Sequence, residues 1–392
     1  MKIKIGIDGN EANQKIRVGS GVFALELLKH FNKFQIPNSK FQINPKFKIY
    51  LKNKPLEDLP SEGESFEYKI VAPSKLWTQI GLPITLWREK ILKNAPNVYF
   101  SPNHYAPRFC PVPSVITIFD LSFFKYPEMF LKDDLYQLIN WTKYSVKQAK
   151  MIITISENSK RDIINHYGID EKRIVVAYPG YDKQKFKPQN DSKKLLEAYA
   201  FLKKLFGLRG KFILYVGTIQ PRKNILNLVK AFSGLKKDSK NSNLQLIIAG
   251  KRGWLYEEII DKINKYNFKK DIIMPDYISD DTLVKLYQCA ICLVLPSYYE
   301  GFGLPVIEAM ACGCPVVVSD RSSLPEIVGE AGLIFDPDNI QDIMTKLELL
   351  ISDETVRRYY IQSGLVKVKK YDWNNCAKKT LEVLLKLGSV RD

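Results

Sequence analysis

The sequence predicts an α/β protein with two doubly wound, mostly parallel sheets, and three observations predict it. Short apolar runs rich in β-branched residues recur along the 392 residues, and stretches of helical period separate them. The series begins again after a polar, lysine-rich passage at about residues 182–194. Runs that are apolar throughout are typical of parallel strands buried on both faces. A chain of this length also suits two cores better than one.

The first series contains seven candidate strands and the second contains six. The first seven are Ile3–Asp8, Phe47–Leu51, Tyr68–Ala72, Val98–Ser101, Val115–Asp120, Met151–Ile155 and Ile174–Tyr178. The next six are Phe212–Gly217, Leu244–Gly250, Ile272–Asp276, Cys292–Pro296, Val316–Asp320 and Leu333–Asp336. Alternation of strands and helices predicts one domain over residues 1–190 and a second over 200–370, followed by an amphipathic helix within 371–392. Open α/β sheets bind ligands at the carboxyl ends of their strands, so two facing sheets would form a cleft.

The composition indicates a folded protein and limits the classes of partner that it can bind. A hydrophobic content of 45% with 12% aromatic residues excludes a disordered or fibrous chain. The net charge of +17 favours nucleic acid, phosphate-rich small molecules or an acidic membrane as partner, with a lysine-rich solubilising surface as the alternative. Because we find no nucleic-acid motif or dense basic tail, nucleic acid is not the expected partner.

The termini and cysteines predict a cytoplasmic protein without a metal. We find no apolar run near the ~18 residues of a membrane span, and the alternating N-terminus does not resemble a secretory signal. Cys289 and Cys292 have C-x-x-C spacing, but they lead directly into an apolar strand pattern and no histidine follows at zinc spacing. We therefore expect buried thiols and no metal site.

The stretch "PSYYEGFGLPVIEAMACGCPVV", residues 296–317, contains the strongest candidate site. A strand ends near its start, and a helix begins at Leu304. The amides of Phe302, Gly303 and Leu304 would then lie at a helix N-terminus, which favours a phosphate. Glu308, one turn into the helix, can accept hydrogen bonds from ribose hydroxyls, and Glu300 precedes the turn. The alternative is a structural glycine loop with a capping carboxylate.

A basic pair follows the first strand of the second series. In "YVGTIQPRKN", Arg222 and Lys223 precede a helix that begins near Asn224. Two cations at a carboxyl edge can bind a diphosphate, Arg as a planar fork and Lys as a point charge. The alternative is an exposed basic pair after a turn proline.

Two candidates lie in the first series. Gly19, Ser20 and Gly21 open a helical pattern and can admit a phosphate to backbone amides, although they do not form a G-x-G-x-x-G fingerprint. His104, in "SPNHYAP", follows a strand end, where it is either a ligand contact or a capping group.

The stretch from Ser74 to Asn94 is amphipathic and contains Trp77 and Trp87 among lysines and an arginine. Such a segment can lie on an anionic bilayer. The alternative is an ordinary helix facing the core, and Pro83 excludes one long helix.

Taken together, these segments resemble the retaining, nucleotide-sugar-dependent glycosyltransferases of family 4, which have the GT-B fold of two Rossmann-like domains facing across a cleft. Glu300–Glu308 is similar to the family's E-x7-E motif, and "VGTIQPRKN", "ITISENSKRDI" and "DLSFFKYPE" are similar to other family segments. The resemblance covers nearly the whole chain. Its closest subgroup is bacterial and mannosyltransferase-like, and builds surface polysaccharides.

The resemblance implies roles for individual residues. Arg222 and Lys223 would bind the donor diphosphate and stabilise the leaving group, and Glu300 would contact the transferred sugar. Gly19 to Gly21 would close on the distal phosphate, while Phe302 to Leu304 and Glu308 would bind the rest of the donor. The last helix would cross back onto the N-terminal domain. His104, Phe119 and Asp120 are candidates for contacts to the sugar or acceptor.

The resemblance also implies a reaction. A hexose, with mannose as our choice, would pass from a GDP-sugar or UDP-sugar to a glycan or lipid-linked acceptor without a metal, in the cytoplasm or on the inner face of the plasma membrane. Many relatives have His where this chain has Phe119, which places the sugar contacts and activity in question. A degenerate nucleotide-sugar or polyanion binder and a glycoside hydrolase remain the alternatives.

Overall fold

The computed structural model describes residues 3–33, 45–276 and 278–390, and they form two compact units. The first contains Met1–Lys125, Lys132–Gly180 and Asp372–Asp392, and the second contains Tyr126–Leu131 and Tyr181–Tyr371. The division falls at Gly180, ten residues before the end of the 1–190 range expected from the sequence. Residues 391 and 392 of the expected C-terminal segment lie outside the described residues.

The first unit is built on a seven-stranded parallel sheet in the order β3-β2-β1-β4-β5-β6-β7. Its strands are β1 (Lys4–Asp8), β2 (Lys46–Leu51), β3 (Phe66–Ile70), β4 (Val98–Ser101), β5 (Ser114–Ile118), β6 (Met151–Thr154) and β7 (Ile174–Val176). Its helices are α1 (Gly19–Lys33), α2 (Leu82–Ile91), α3 (Ser122–Lys125), α4 (Lys132–Gln148), α5 (Glu157–Tyr167) and, at the end of the chain, α14 (Trp373–Ser389).

The second unit has a six-stranded parallel sheet in the order β10-β9-β8-β11-β12-β13. Its strands are β8 (Phe212–Val216), β9 (Gln245–Ala249), β10 (Ile272–Ile273), β11 (Leu293–Leu295), β12 (Val316–Ser319) and β13 (Leu333–Phe335). Its helices are α6 (Ser192–Phe206), α7 (Ile225–Leu235), α8 (Tyr256–Asn264), α9 (Asp280–Cys289), α10 (Leu304–Ala311), α11 (Leu324–Val328), α12 (Ile340–Ser352) and α13 (Glu354–Lys367).

Both sheets have the doubly wound strand order, in which the direction of winding reverses between the first and fourth strands of the unit. The predicted α/β class with two parallel sheets is therefore confirmed. Each predicted strand overlaps an observed one, but several predicted strands extend too far at the carboxyl end. The predicted Ile272–Asp276, for example, pairs only over Ile272–Ile273. After the last paired residue, Met274 and Pro275 are half-buried and Asp276 is exposed, so the strand-like sequence pattern continues beyond the pairing.

The last helix, α14, packs within the first unit. Trp373 at its start contacts the ring of Phe23 in α1, with ring centroids 6.0 Å apart. Near its end, a Cβ added at Gly388 would lie 2.8 Å from the Ile3 side chain. The amphipathic pattern reflects this packing, since Cys376, Leu381 and Leu384 are buried.

A short segment before α4, Tyr126–Leu131, belongs to the second unit although its neighbours in sequence belong to the first. Tyr126 stacks on Tyr298 with ring centroids 5.9 Å apart, and Phe130 contacts Trp254. The Trp254 Nε1–H donates to the Met129 carbonyl at 2.5 Å. Aromatic contacts and one hydrogen bond from a half-buried indole therefore fix this segment. The hydrophobic pattern of the sequence gives no signal that the segment belongs to the second unit.

Among the described residues, no helix has both the length and the apolar character needed to cross a membrane.

Candidate active site

The loop between β11 and α10 contains Glu300, the first of the two predicted glutamates, and hydrogen bonds fix its conformation. Ser297 donates its hydroxyl to Glu300 Oε1 at 2.7 Å. The Glu300 amide donates to Ser322 Oγ at 2.8 Å, and the Ser323 hydroxyl donates to the Glu300 carbonyl at 2.9 Å. Both serines follow β12, the next strand of the sheet. The loop conformation is thus set by hydrogen bonds across the carboxyl edge.

The helix α10 begins at Leu304, as the sequence predicted, with Pro305 in its first turn. Gly303 precedes it with φ 100°, in the region that favours glycine, and a Cβ there would lie 3.0 Å from Leu324 Cδ2. Because glycine carries no side chain, no side-chain cap accepts from the backbone amides at the start of this helix.

The basic pair is joined to Glu300. Arg222 and Lys223 lie in a 3-10 turn, Pro221–Lys223, after β8, the strand next to β11. Lys223 Nζ is 2.5 Å from Glu300 Oε1, and Arg222 Nη1 is 4.0 Å from Oε2. Arg222 also donates to the Tyr299 carbonyl. Sequence reasoning placed these three side chains at one edge, and the structure brings them into contact.

The charges in this cluster explain the ionisation of Glu300. Burial opposes ionisation, but the positive charges of Lys223 and Arg222, with hydrogen bonds from Lys223 and Ser297, hold the pKa of Glu300 below its ordinary value. Two cations against one carboxylate leave net positive charge where the strands end. Such a cluster can bind a dianion or stabilise negative charge that develops during a reaction.

Glu308 lies apart from this ion pair, in the second turn of α10. The Tyr287 hydroxyl, from α9, donates to its Oε2 at 3.0 Å. Burial raises the pKa of Glu308 to about 7, against the lowering effect of the Tyr287 hydrogen bond. The two glutamates therefore have different environments: Glu300 is held ionised by cations, whereas Glu308 can change protonation near neutral pH.

The glycine pair of the first unit lies in the first turn of α1, which begins at Gly19. Ser20 donates to Glu11 Oε2 at 3.1 Å. A Cβ on Gly21 would lie 2.9 Å from the Glu11 carbonyl oxygen, whereas a Cβ on Gly19 would meet nothing within 4 Å. Close packing thus requires glycine at position 21, while the space beside Gly19 is open.

His104 and Phe119 come together at the carboxyl ends of β4 and β5. The Phe119 amide donates to His104 Nε2 at 3.2 Å, and the two rings stack with centroids 5.8 Å apart. Because Nε2 accepts, the ring proton is on Nδ1, which is buried without a hydrogen-bond partner in the described part of the chain. Burial lowers the pKa of His104 to about 4, so the ring is neutral at physiological pH.

Asp120 has a local structural contact: its Oδ1 accepts from the Ser122 amide at 2.9 Å, at the start of α3. The Phe119 ring also contacts the Phe23 ring edge to face, with ring centroids 5.3 Å apart. His104 and Phe119 therefore belong to an aromatic cluster, whereas Arg222, Lys223 and Glu300 form a charged one.

Sequence reasoning missed four polar residues that shape the second-unit site, namely Tyr287, Ser297, Ser322 and Ser323. The signal for the two later serines was present in "SDRSS", which follows a predicted strand at the same sheet edge. Tyr287 had none, because its partner Glu308 is 21 residues away and on another helix.

All six cysteines have free thiols. Cys292 is buried as expected, whereas Cys289 is only partly buried, because it ends helix α9 and does not belong to a strand. Within residues 3–33, 45–276 and 278–390, no group of three or more His, Cys, Asp or Glu side chains is arranged to hold a metal ion.

Comparison with known proteins decides the family. The family model described as "Glycosyl transferases group 1" matches residues 201–366, and the one described as "Glycosyltransferase Family 4" matches residues 53–185. The O-antigen chain mannosyltransferase B of Escherichia coli is 34% identical over 284 residues, which cover 72% of this chain and 73% of that protein. The chain belongs to glycosyltransferase family 4.

Two further comparisons extend this result. A Campylobacter jejuni enzyme, N-acetylgalactosamine-N,N'-diacetylbacillosaminyl-diphospho-undecaprenol 4-alpha-N-acetylgalactosaminyltransferase, is 28% identical over 262 residues, or 66% of each chain. The solved sucrose-phosphate synthase of Thermosynechococcus elongatus has a TM-score of 0.75 at 18% identity, with 98% of this chain and 99% of that chain covered. The resemblance to family 4 and the GT-B fold predicted from the sequence are thus confirmed, as is the enzyme class of this family 4 chain, a hexosyltransferase.

Proposed function

We propose that this family 4 glycosyltransferase moves mannose from a nucleoside-diphosphate sugar to a glycan or lipid-linked acceptor during surface polysaccharide synthesis, with retention of anomeric configuration. The observation that carries the proposal is the contact of Arg222 and Lys223 with Glu300 beside the start of α10. The choice of mannose rests on the similarity to the O-antigen chain mannosyltransferase. The choice of a lipid-linked acceptor rests on the Campylobacter relative, whose name contains a diphospho-undecaprenol acceptor.

The cations would act on the donor diphosphate. As the bond from the anomeric carbon to the phosphate oxygen breaks, negative charge develops on the leaving nucleoside diphosphate. Arg222 and Lys223 would stabilise that charge without a metal ion. The acceptor hydroxyl would form the new bond to the anomeric carbon on the same face, and its proton would leave with the diphosphate. The products are a glycoside and a nucleoside diphosphate.

The other second-unit residues would hold the donor. The amides of Phe302, Gly303 and Leu304 at the start of α10 suit the phosphate and sugar oxygens. The Glu308 carboxylate would accept hydrogen bonds from the ribose hydroxyls, and Glu300 would contact hydroxyls of the transferred sugar while it keeps Lys223 in place.

We assign the first-unit residues to the distal phosphate and the acceptor side. The open space beside Gly19 can receive a ligand atom close to the backbone, with Ser20 and Gly21 in the same turn. Phe119, His104 and Asp120 would border the sugar. Phe119 cannot donate to a hydroxyl as the histidine of many relatives does, so this chain would contact the sugar there through a ring face.

Glycoside hydrolysis is not proposed. A glycoside hydrolase would need one carboxylic acid with a raised pKa, and its nucleophilic carboxylate would need an oxygen free to attack the sugar. Glu308 has the raised pKa, but its carboxyl is buried and held by Tyr287, and Oε1 of Glu300 is engaged by both Lys223 and Ser297. Hydrolysis would also leave the two cations at this edge without a role. A degenerate binder would bind the donor without turnover, so a binding measurement together with a turnover assay distinguishes such a protein from an enzyme.

Thermal denaturation with a panel of GDP- and UDP-sugars tests donor choice. A true donor raises the melting temperature in a concentration-dependent way, because it binds only the folded state. We expect the largest shift with GDP-mannose and a smaller one in Glu308→Gln. NMR of the product would then give the anomeric configuration. If no donor shifts the transition, the donor proposal is wrong; a shift without turnover, with acceptors supplied, favours the degenerate binder.

A further inference from the structure

The Glu308 carboxylate is held by a phenol from the neighbouring helix. Tyr287, on α9, is fully buried, and its hydroxyl donates to Glu308 Oε2 at 3.0 Å. In the part of the chain that the structure describes, this is the one hydrogen bond to the Glu308 carboxylate. Because each carboxylate oxygen has two acceptor sites, Oε1 and the second site of Oε2 remain for a ligand.

Tyr287 acts only as a donor in this contact. Burial, together with the negative charge of Glu308, raises the pKa of Tyr287 well above its ordinary value, so the phenol keeps its proton. A glutamate side chain has several rotatable bonds, and one directed hydrogen bond limits the positions that its carboxylate can take. The contact therefore favours the ionised form of Glu308 and restricts its orientation.

A turn before α6 packs on Tyr287. We define the linker turn as residues 182–188, which belong to the second unit. The Asp182 carbonyl closes it by accepting from the Phe186 amide at 2.8 Å. The Phe186 ring is buried and contacts the Tyr287 ring, with ring centroids 6.1 Å apart. The polar passage between the two series of strands thus contributes an aromatic side chain beside the donor site.

The linker turn is joined to α9 at two more points. Lys185 Nζ is 2.5 Å from Oδ2 of Asp280, the first residue of α9. Near the other end of the helix, Gln288 Nε2 donates to the Lys187 carbonyl at 2.9 Å. These contacts fix the position of the linker turn along the helix that carries Tyr287.

The ionisation of Glu308 depends on side chains from α9, α10 and the linker turn. Burial is the main cause of its raised pKa. The hydrogen bond from Tyr287 and the charge of Lys185 lower this pKa, whereas the charge of Asp280 raises it. Cys312, which follows α10, is a neutral thiol, because burial raises its pKa to about 12. Since Lys185 and Asp280 form an ion pair, their effects offset each other, and Tyr287 is the group that opposes the effect of burial.

We propose that Tyr287 is a positioning residue for donor binding, which orients the Glu308 carboxylate toward the two ribose hydroxyls, and that Phe186 of the linker turn holds Tyr287 in place. The inference rests on the proposed function, in which Glu308 accepts from the ribose, and it adds a residue that acts without touching the donor. A carboxylate that Tyr287 already holds loses less freedom when the ribose binds. The preference for ribose over deoxyribose therefore depends on the Tyr287 hydroxyl.

A purely structural hydrogen bond would have different consequences. A buried phenol needs an acceptor, and loss of such a pair lowers stability without changing how a site distinguishes its ligands. Tyr50 of the first unit is the matched case, because it is also fully buried and donates to a buried glutamate, Glu89, at 2.6 Å. Tyr287→Phe and Tyr50→Phe therefore remove the same kind of hydrogen bond from two places.

Calorimetric titration of the full chain with GDP and UDP, each compared with its 2′-deoxy form, tests the proposal. These probes carry the sugar that Glu308 would bind, and they need no acceptor. We expect the wild type to bind the ribose form about tenfold more tightly than the deoxy form. In Tyr287→Phe, which keeps the ring beside Phe186, the dissociation constant of the ribose form should rise about fivefold and the preference should fall to about twofold.

The pH dependence of nucleotide affinity gives a second measurement. Tyr287→Phe removes a hydrogen bond that lowers the pKa of Glu308, so Glu308 should stay protonated to a higher pH. The midpoint of the affinity curve should therefore move up by about 0.5–1 pH unit. The control Tyr50→Phe should lower the melting temperature but leave the affinity, the ribose preference and this midpoint as in the wild type.

A double-mutant cycle tests whether Tyr287 acts through Glu308. In the Glu308→Gln background, Tyr287→Phe should change the dissociation constant by less than about twofold, since the carboxylate that the phenol positions is absent.

A further variant tests the linker turn. Phe186→Leu should raise the dissociation constant of the ribose form by about two- to threefold and weaken the ribose preference, because it removes the ring beside Tyr287. It should have no further effect on the ribose preference of Tyr287→Phe. A full ribose preference in Phe186→Leu would remove the linker turn from the proposal.

Three results would overturn the role of Tyr287: a wild-type ribose preference in Tyr287→Phe, equal changes in Tyr50→Phe, or a full effect of Tyr287→Phe in the Glu308→Gln background. Binding that depends on Glu308 but not on Tyr287 would reject the positioning role and leave the proposed reaction intact. If neither nucleotide binds, or if Glu308→Gln binds them as the wild type does, the proposed donor site is itself wrong and the inference fails with it.

Discussion

The carboxyl edges of the two sheets have the same strand topology, but the side chains are charged at one edge and aromatic at the other. In the second unit, the loops after β8, β11 and β12 meet in a charged network around Glu300, with Lys223, Arg222 and Ser322. In the first unit, the ends of β4 and β5 meet in an aromatic cluster of His104, Phe119, Phe123 and Phe23. Strand order alone thus does not decide what an edge can bind.

The difference between the two edges shows how one architecture can bind two kinds of ligand. Cations that a buried carboxylate holds in place can bind a phosphate, and the face of an aromatic ring suits the apolar side of a sugar ring. We propose on this basis that the second edge binds the donor and that the first meets the sugar and acceptor.

Removal of the Lys223 charge should have the largest effect. Lys223→Met takes away a cation that stabilises the leaving diphosphate, so kcat should fall by about 10²–10³-fold. It also leaves Glu300 with less of its buried countercharge, and the free energy of unfolding should drop by about 3 kcal/mol. Steady-state kinetics and thermal denaturation measure the two effects.

A second substitution separates catalysis from stability. Lys223→Met with Glu300→Gln removes both buried charges, so the melting temperature should recover while activity does not. Lys230→Met, on the exposed side of α7, is the matched control and should leave both unchanged. Recovery of activity in the double variant would show that Lys223 only balances Glu300.

Glu308→Gln should weaken donor binding more than turnover. A carboxylate accepts hydrogen bonds from two ribose hydroxyls, whereas an amide accepts less strongly, so the donor KM should rise by about tenfold with a small change in kcat. The exposed Glu330→Gln serves as control. A fall in kcat with unchanged KM would contradict a ribose contact and move Glu308 towards the reacting bond.

The pKa of Glu308, raised by burial to about 7, predicts a pH-dependent donor affinity. Only the carboxylate accepts from both hydroxyls, so the donor KM should rise up to about tenfold as the pH falls from 8 to 6. The dependence should vanish in Glu308→Gln. A wild-type KM that stays flat over this range would reject the ionised form as the binding state.

The stability of the unliganded protein should change in the opposite direction. Because the folded-state pKa of Glu308 lies above the ordinary 4.5, its protonated form favours the folded state, and this contribution is lost as the pH rises through about 7. Asp8, whose pKa burial raises to about 6, contributes with the same sign. A comparison of the melting temperatures of wild type and Glu308→Gln between pH 4.5 and about 7 isolates the contribution of Glu308 to stability.

The smallest effect is expected at the start of α1. Gly19→Ala adds a methyl group in open space, so it should leave the melting temperature unchanged and raise the donor KM by a few-fold, about 0.5–1 kcal/mol, if a phosphate approaches there. Gly21→Ala, whose Cβ would meet the Glu11 carbonyl, should instead lower stability by about 1–3 kcal/mol. An unchanged KM in Gly19→Ala would remove this turn from the donor site.

Apolar runs and glycine turns are local signals, and they were enough to predict the fold class, the approximate place of each strand in the described residues and the start of α10. It also placed Arg222, Lys223 and Glu300 at one edge, since parallel strands that are neighbours end on the same side of the sheet. The resemblance to family 4 supplied the roles that residue patterns alone left open.

Which partner each polar or aromatic group has depends on tertiary packing and not on local signals in the sequence. The contact of Tyr287 with Glu308, the serines that hold the Glu300 loop and the stacking of His104 on Phe119 join residues distant in sequence. The segment from Tyr126 to Leu131 joins the second unit through aromatic contacts that periodicity does not encode. For α2 the reason is most direct: when both faces of a helix are apolar, the sequence pattern cannot tell which face the core covers, and only packing leaves Ile84 and Ile91 exposed.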